Sequence, residues 1–181
     1  LADQSGSAVV TVTVTDGGLD GDLSTAGDNG TTQQTFTVTV NAVNDAPLLD
    51  AIAGVTVDED ASLQTVNLQG IAAGGGESQP LEITASSSNT GLIPNPAVSY
   101  SSASSSGSIS FTPLADQSGS AVVTVTVTDG GLDGDLSTAG DNGTSEQTFT
   151  VTVNAVNDAP LLNAIAGVTV DEDASVQTVN L

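Results

Sequence analysis

The 181-residue sequence contains no lysine, arginine, histidine, cysteine, methionine or tryptophan. Each absence removes a class of function. Without a cation, nucleic-acid binding loses its main electrostatic term, as does attraction to anionic membrane surfaces. Without Cys or His there is no zinc, haem or iron–sulfur site, no disulfide, no thiol nucleophile and no imidazole base. Without Lys, neither a Schiff base nor a Lys–Asn isopeptide cross-link can form. One Tyr and three Phe are too few for the aromatic platforms of a glycoside-cleaving cleft, so no enzymatic role is expected. No apolar run is long enough to cross a membrane as a helix, and direct membrane insertion is not expected.

What the sequence has is oxygen. Its 22 acidic residues give a formal net charge of -22 with nothing to oppose it. Carboxylates, Asn, Ser, Thr and backbone carbonyls are ligands of hard cations, and calcium accepts six to eight of them in flexible geometry. High charge with few aromatics also describes disordered chains, but only 12% of residues are charged and the apolar ones are patterned. Ser7-Ala-Val-Val-Thr-Val-Thr-Val-Thr15 and Thr35-Phe-Thr-Val-Thr-Val-Asn-Ala-Val43 alternate with period two, as half-buried strands do. Leu1 opens in mid-pattern with no Met and no signal peptide, so an excerpt of something longer is expected.

The chain repeats itself. Residues 1–68 recur as 114–181 with a period of 113, and only Thr32/Ser145, Gln33/Glu146, Asp50/Asn163 and Leu63/Val176 differ. That period is too long for a solenoid unit and suits a whole sandwich domain. Asn41-Ala-Val-Asn-Asp-Ala-Pro47 and its copy Asn154–Pro160 mark the joints, since Pro ends a strand's hydrogen-bond ladder and the segment is polar and turn-prone. Residues 1–46 then read as the end of one repeat, 47–159 as a full repeat and 160–181 as the start of a third. Within the full repeat the alternation predicts seven strands: Ala51–Val57, Leu63–Leu68, Leu81–Ser86, Ala97–Ser101, Ser108–Thr112, Ser120–Thr128 and Gln147–Val156. This implies an all-β, seven-stranded antiparallel sandwich of the immunoglobulin or cadherin kind, repeated head to tail.

Alternating strand direction assigns each loop to a pole. Asp58-Glu59-Asp60 after the first strand, Asp116 before the sixth, and Asn157-Asp158 after the seventh share the C-terminal pole. Glu77 and the long loop carrying Asp129, Asp133, Asp135 and Asp141 share the N-terminal pole. The partial first copy adds Asp16, Asp20 and Asp22, and the first joint adds Asn44 and Asp45. Stacked repeats would press one acidic pole against another, and like charges disfavour each other's ionisation. Divalent cations would turn that repulsion into a stiff joint. Asp133-Gly-Asp135 could be a metal loop in its own right or plain turn chemistry, and its spacing is not that of an EF-hand.

Asn-Asp-Ala-Pro closing a module, Glu59 twelve residues after Pro47, Asp116 at the turn before the sixth strand, and Thr126-Val-Thr-Asp129 ending a strand resemble the cadherin layout. Together with Gly74–Leu81 and Ser87–Pro94 they resemble, more closely, the cadherin-like and immunoglobulin-like tandem repeats of giant bacterial surface proteins. The resemblance covers the whole chain. It implies calcium between domains, identical repeats as head-to-tail partners, lateral self-association if a fibre forms, and an extracellular place on a bacterial surface. The chain departs from cadherins where Asp116-Gln117-Ser118 lacks a second acid and where Glu77 stands for an acid pair. The reading is a structural module of a calcium-stabilised stalk, adhesin rod or filament. The alternative is a ligand-binding adhesion module for a carbohydrate or a cell surface.

Overall fold

Val, Thr and Phe in alternation build the longest strands of the computed structural model, which describes residues 2–25 and 27–180. Strands β1 (Gly6–Thr15) and β2 (Thr31–Val40) form an antiparallel hairpin. Seven more lie between residues 47 and 159: β3 (Val55–Asp58), β4 (Gln64–Gln69), β5 (Leu81–Ser87), β6 (Ala97–Ser99), β7 (Ser106–Phe111), β8 (Gly119–Asp129) and β9 (Thr144–Asn154). No helix occurs among the described residues.

Strands β3-β9-β8-β5 make a four-stranded sheet and β4-β7-β6 a three-stranded one. Inward residues of both close over one core: Val123, Val125 and Val127 of β8, Val151 of β9, Leu68 of β4 and Ile109 of β7 are all 0% exposed. Ile93, Phe111 and Phe149 complete it. With the second, fourth and fifth strands of this unit in one sheet and the third, sixth and seventh in the other, the architecture is an immunoglobulin-like β-sandwich.

Seven of the nine strands among the described residues lie between 47 and 159, and residues 1–46 contribute the hairpin. Two features differ from the sequence-based expectation. The sandwich is not wholly antiparallel, since β3 runs parallel to β9, Val55 opposite Val151. The first strand is also shorter than Ala51–Val57. Leu48 first bridges Ala72 and Asp50 donates to the Gln69 carbonyl at 3.0 Å, so the chain starts beside β4 and then crosses to β9. That crossing carries Asp58–Asp60 to the far end of the unit.

Identical sequence does not give identical structure. Hairpin β1–β2 has the register of β8–β9, yet Val12 and Phe36 are 49% and 53% exposed where their copies Val125 and Phe149 are 0% and 4%. Residues 168–171 repeat the sequence of β3 but form no strand. The partner of β3 lies 96 residues downstream of it, and among the described residues 168–171 pair with no strand.

Candidate functional site

Three segments far apart in sequence converge at the C-terminal pole. Asp60 follows β3, Asp116 precedes β8 and Asp158 follows β9, and one carboxylate oxygen from each lies within 4.8 Å of the other two. Asp60 and Asp116 sit in left-handed turns, φ 63° and 56°. Asp and Asn are among the few side chains that tolerate that region, so the residue that makes each turn also supplies its carboxylate. The Asp116 N–H reaches Asp60 Oδ1 at 3.4 Å and links the two turns.

Glu59 clamps the third segment. It is buried at 8% exposure, its Oε1 accepts the Val156 N–H at 2.6 Å, and its own N–H donates to the Asn154 carbonyl at 2.9 Å. Asp58 Oδ1 accepts the Asn154 side-chain amide at 3.1 Å. Asn157 turns its amide to the Asp158 carbonyl at 3.2 Å. The Asp158 carboxyl is pushed above its ordinary pKa, first by desolvation, then by repulsion from Asp60, Asp116 and Glu59, with a hydrogen bond to Asp116 acting the same way. The cluster thus holds anions together without a positive partner.

The chemistry of the donors suits a hard divalent cation such as calcium. All are oxygens, and oxygens up to 4.8 Å apart can share one ion at the usual calcium–oxygen distance of about 2.4 Å. Asp60, Asp116 and Asp158 would hold it, with Glu59 and Asn157 adjacent.

The N-terminal pole is arranged differently. Asp129 is fully buried and accepts N–H groups from Gly131 at 2.9 Å and Gly143 at 2.8 Å. The Asn44 side-chain amide donates to both its oxygens at 3.1 and 3.3 Å. The Asp45 N–H reaches Glu77 Oε2 at 3.3 Å, and Gln79 Nε2 bridges Asn44 Oδ1 at 2.6 Å and Glu77 Oε2 at 2.9 Å. A cavity of about 350 Å³ opens beside this contact, with Asp3, Asp45 and Glu77 in its lining. Asp3 is the repeat counterpart of Asp116 and has the same φ of 56°. Sequence reasoning passed over Asp3, which the 113-residue period could have flagged, and Gln79, for which no sequence signal exists.

In the loop from Asp129 to Gly143 the carboxylates organise turns. Asp133 accepts the Asp135 N–H and the Thr138 hydroxyl, each at 2.9 Å, Asp135 accepts the Ser137 N–H at 2.9 Å and its hydroxyl at 2.7 Å, and Asp141 accepts the Leu132 N–H at 2.8 Å. The first copy repeats this, with Asp16, Asp20 and Asp22 bound to Gly30, Asp22 and Ser24 amides respectively. These bonds hold the Asp135, Asp16, Asp20 and Asp22 carboxyls below their ordinary range, led in each case by a backbone amide: Ser137, Gly30, Asp22 and Ser24. Among the described residues, the grouping of three carboxylates able to share an ion is the one at the opposite pole.

No family model matches the chain, and no curated protein matches it. Some solved structures are similar in part. Domains 4 and 5 of the S-layer protein SbsC share 20% identity at a TM-score of 0.39, over 69% of this chain and 62% of that one. Domains 1–6 of SbsC share 20% at 0.43, over 90% of this chain and 18% of that one. The PapD-like domain 7 of human CEP192 shares 11% at 0.36, over 66% and 92%. The chain therefore spans less than two thirds of either S-layer structure.

Proposed function

We propose that this chain is a structural repeat module of an extracellular bacterial stalk, adhesin rod or filament, stiffened by calcium at the joints between repeats and without catalytic activity. The observation that carries the reading is the meeting of Asp60, Asp116 and Asp158 on two turns and a linker, with the Asp158 carboxyl raised first by desolvation and then by repulsion from Asp60, Asp116 and Glu59. Unopposed carboxylates at a joint are repulsive, and a divalent cation reverses the sign. Three carboxylates leave coordination positions for oxygens from the next repeat, so the ion would link two modules rather than decorate one. Calcium is near millimolar outside cells, where the weak affinities of extracellular modules suffice.

In this reading the partners are neighbouring repeats, joined head to tail as seven-stranded cadherin-like sandwiches. A spacer needs length and uniform joints, and two copies differing at four of 68 positions suit that better than a unique binding pocket. Melting and small-angle scattering of two consecutive repeats provide the test. Calcium should raise the melting temperature and lengthen the particle, and chelator should reverse both. Asp116→Ala with Asp158→Ala should abolish the response while leaving the sandwich folded. Superimposable curves with and without calcium would rule the reading out.

A further inference from the structure

We propose that Asn44-Asp45-Ala46 and the N-terminal pole form a plug and socket that fixes the linker on the following module without any cation. This goes beyond calcium stiffening and assigns Asn44 and Asp129 a different task from the metal ligation expected of them.

The socket forms independently of the plug. Asp129 accepts the Gly131 and Gly143 amides at 2.9 and 2.8 Å. Its repeat counterpart Asp16 accepts Gly18 and Gly30 at 3.0 and 2.9 Å although it is exposed. The same loop thus builds the same anionic floor with or without a linker upon it, and preorganisation of this kind lowers the cost of docking.

The plug matches the floor in charge. A metal bridging Asp129 to the linker would draw linker oxygens toward it, whereas Asn44 presents its amide N–H groups to both Asp129 oxygens, at 3.1 and 3.3 Å. These are charge-assisted bonds that need no counter-ion. The other end of the Asn44 side chain is held as well, since Gln79 Nε2 donates to its Oδ1 at 2.6 Å.

The plug also matches in shape. A Cβ on Gly143 would first meet Asp129 Oδ2 at 2.6 Å, and would lie 3.1 Å from Asn44 Nδ2 and 3.2 Å from Ala46 Cα. A Cβ on Gly74 would strike the Ala46 carbonyl, and one on Gly75 the Asp45 carboxylate. At Gly30, the copy of Gly143, a Cβ would approach Asp16 alone. Glycine at 143 therefore leaves room for the Asp129 carboxylate and, in this copy, for the linker beside it. Adjacent linker residues share the grip on the module that follows: Asn44 donates to Asp129 and the Asp45 N–H to Glu77 Oε2.

The test is amide hydrogen exchange of the 181-residue chain in chelator, with β8–β9 amides reporting that the sandwich is folded. The Asp45 amide, which donates to Glu77 Oε2, should be protected in the wild type. Asn44→Asp, which sets a carboxylate against buried Asp129, and Gly143→Ala, which crowds Asp129 and the linker, should each raise its exchange roughly tenfold or more, the equivalent of losing a hydrogen bond to a charged group. Asn157→Asp, the same change at the other linker, should leave the Asp45 amide unaffected. A wild-type Asp45 amide that exchanges as fast as that of Asn44→Asp in chelator, or that gains protection only with calcium, would overturn the proposal. Either result would leave calcium binding at Asp60, Asp116 and Asp158 to be judged separately, from residues 155–158.

Discussion

Truncating Glu59 to Ala removes the clamp that brings the chain leaving β9 against the turn after β3. Wild-type Glu59 is 8% exposed and its carboxylate accepts the Val156 N–H at 2.6 Å. A hydrogen bond to a charged group is worth about 1.5–3 kcal/mol. Relief from burying a carboxylate returns part of that, leaving a net loss of about 2 kcal/mol. At roughly 4 °C per kcal/mol for a unit of this size, the melting temperature followed by far-ultraviolet circular dichroism should fall by about 8 °C. The local consequence is larger, because Asp158 is two residues beyond Val156 and its position depends on that bond. The calcium-induced rise in melting temperature should therefore disappear in Glu59→Ala. Glu59→Gln keeps an acceptor for Val156 but removes the charge, so it should lose about half as much stability and keep part of the calcium response. An Ala variant that melts with the wild type and responds fully to calcium would refute this account of the pole.

The repeat supplies an internal control for packing. Val125→Ala deletes two buried methyl groups and should cost about 2 kcal/mol, at ~0.8 per buried carbon plus the residual cavity, whereas Val12→Ala at the identical, 49% exposed position should stay within about 0.5 kcal/mol in the same melting assay. The acids should titrate apart. In chelator, carbon NMR of the carboxyl groups should place Asp158 above the ordinary Asp midpoint and Asp135 below it. By linkage, the Asp135 bonds favour the fold above the ordinary Asp pKa and are lost as pH falls through its lower folded value. Asp158 has the opposite sign. Its protonated form suits the fold, that contribution fades as pH rises through its raised midpoint, and calcium should remove the penalty. An Asp158 midpoint at or below that of Asp135 would contradict the clustering.

How much of this was legible depends on which interaction decided each feature. Alternation of Val and Thr located β8 to within a residue at either end, Ser120–Thr128 against Gly119–Asp129, because a half-buried strand writes its own period into the sequence. The first strand was legible only as apolar residues. Its division between two sheets and its parallel pairing depend on β9, 96 residues away, and periodicity identifies strands but not their partners. The same limit appears where Val125 is buried and Val12 is not, or where 55–58 forms a strand and 168–171 does not. The meeting of Asp60, Asp116 and Asp158 followed from strand direction alone, since consecutive strands put those turns at one end. The partnership of Asn44 with Asp129 did not, because both had been read as oxygen donors to an ion, and the use of an amide N–H depends on side-chain orientation. Gln79 carried no signal, as a lone polar residue in a loop is ordinary in any sequence.

The most direct measurement is a calcium titration of the 181-residue chain followed by amide NMR. The account predicts saturable shifts in residues 58–60, 114–118 and 155–158, with half-saturation at roughly 0.1–1 mM as for extracellular modules, absent in Asp60→Asn with Asp116→Asn. Spectra that do not change with calcium, or change only along the loop from Asp129 to Gly143, would contradict it.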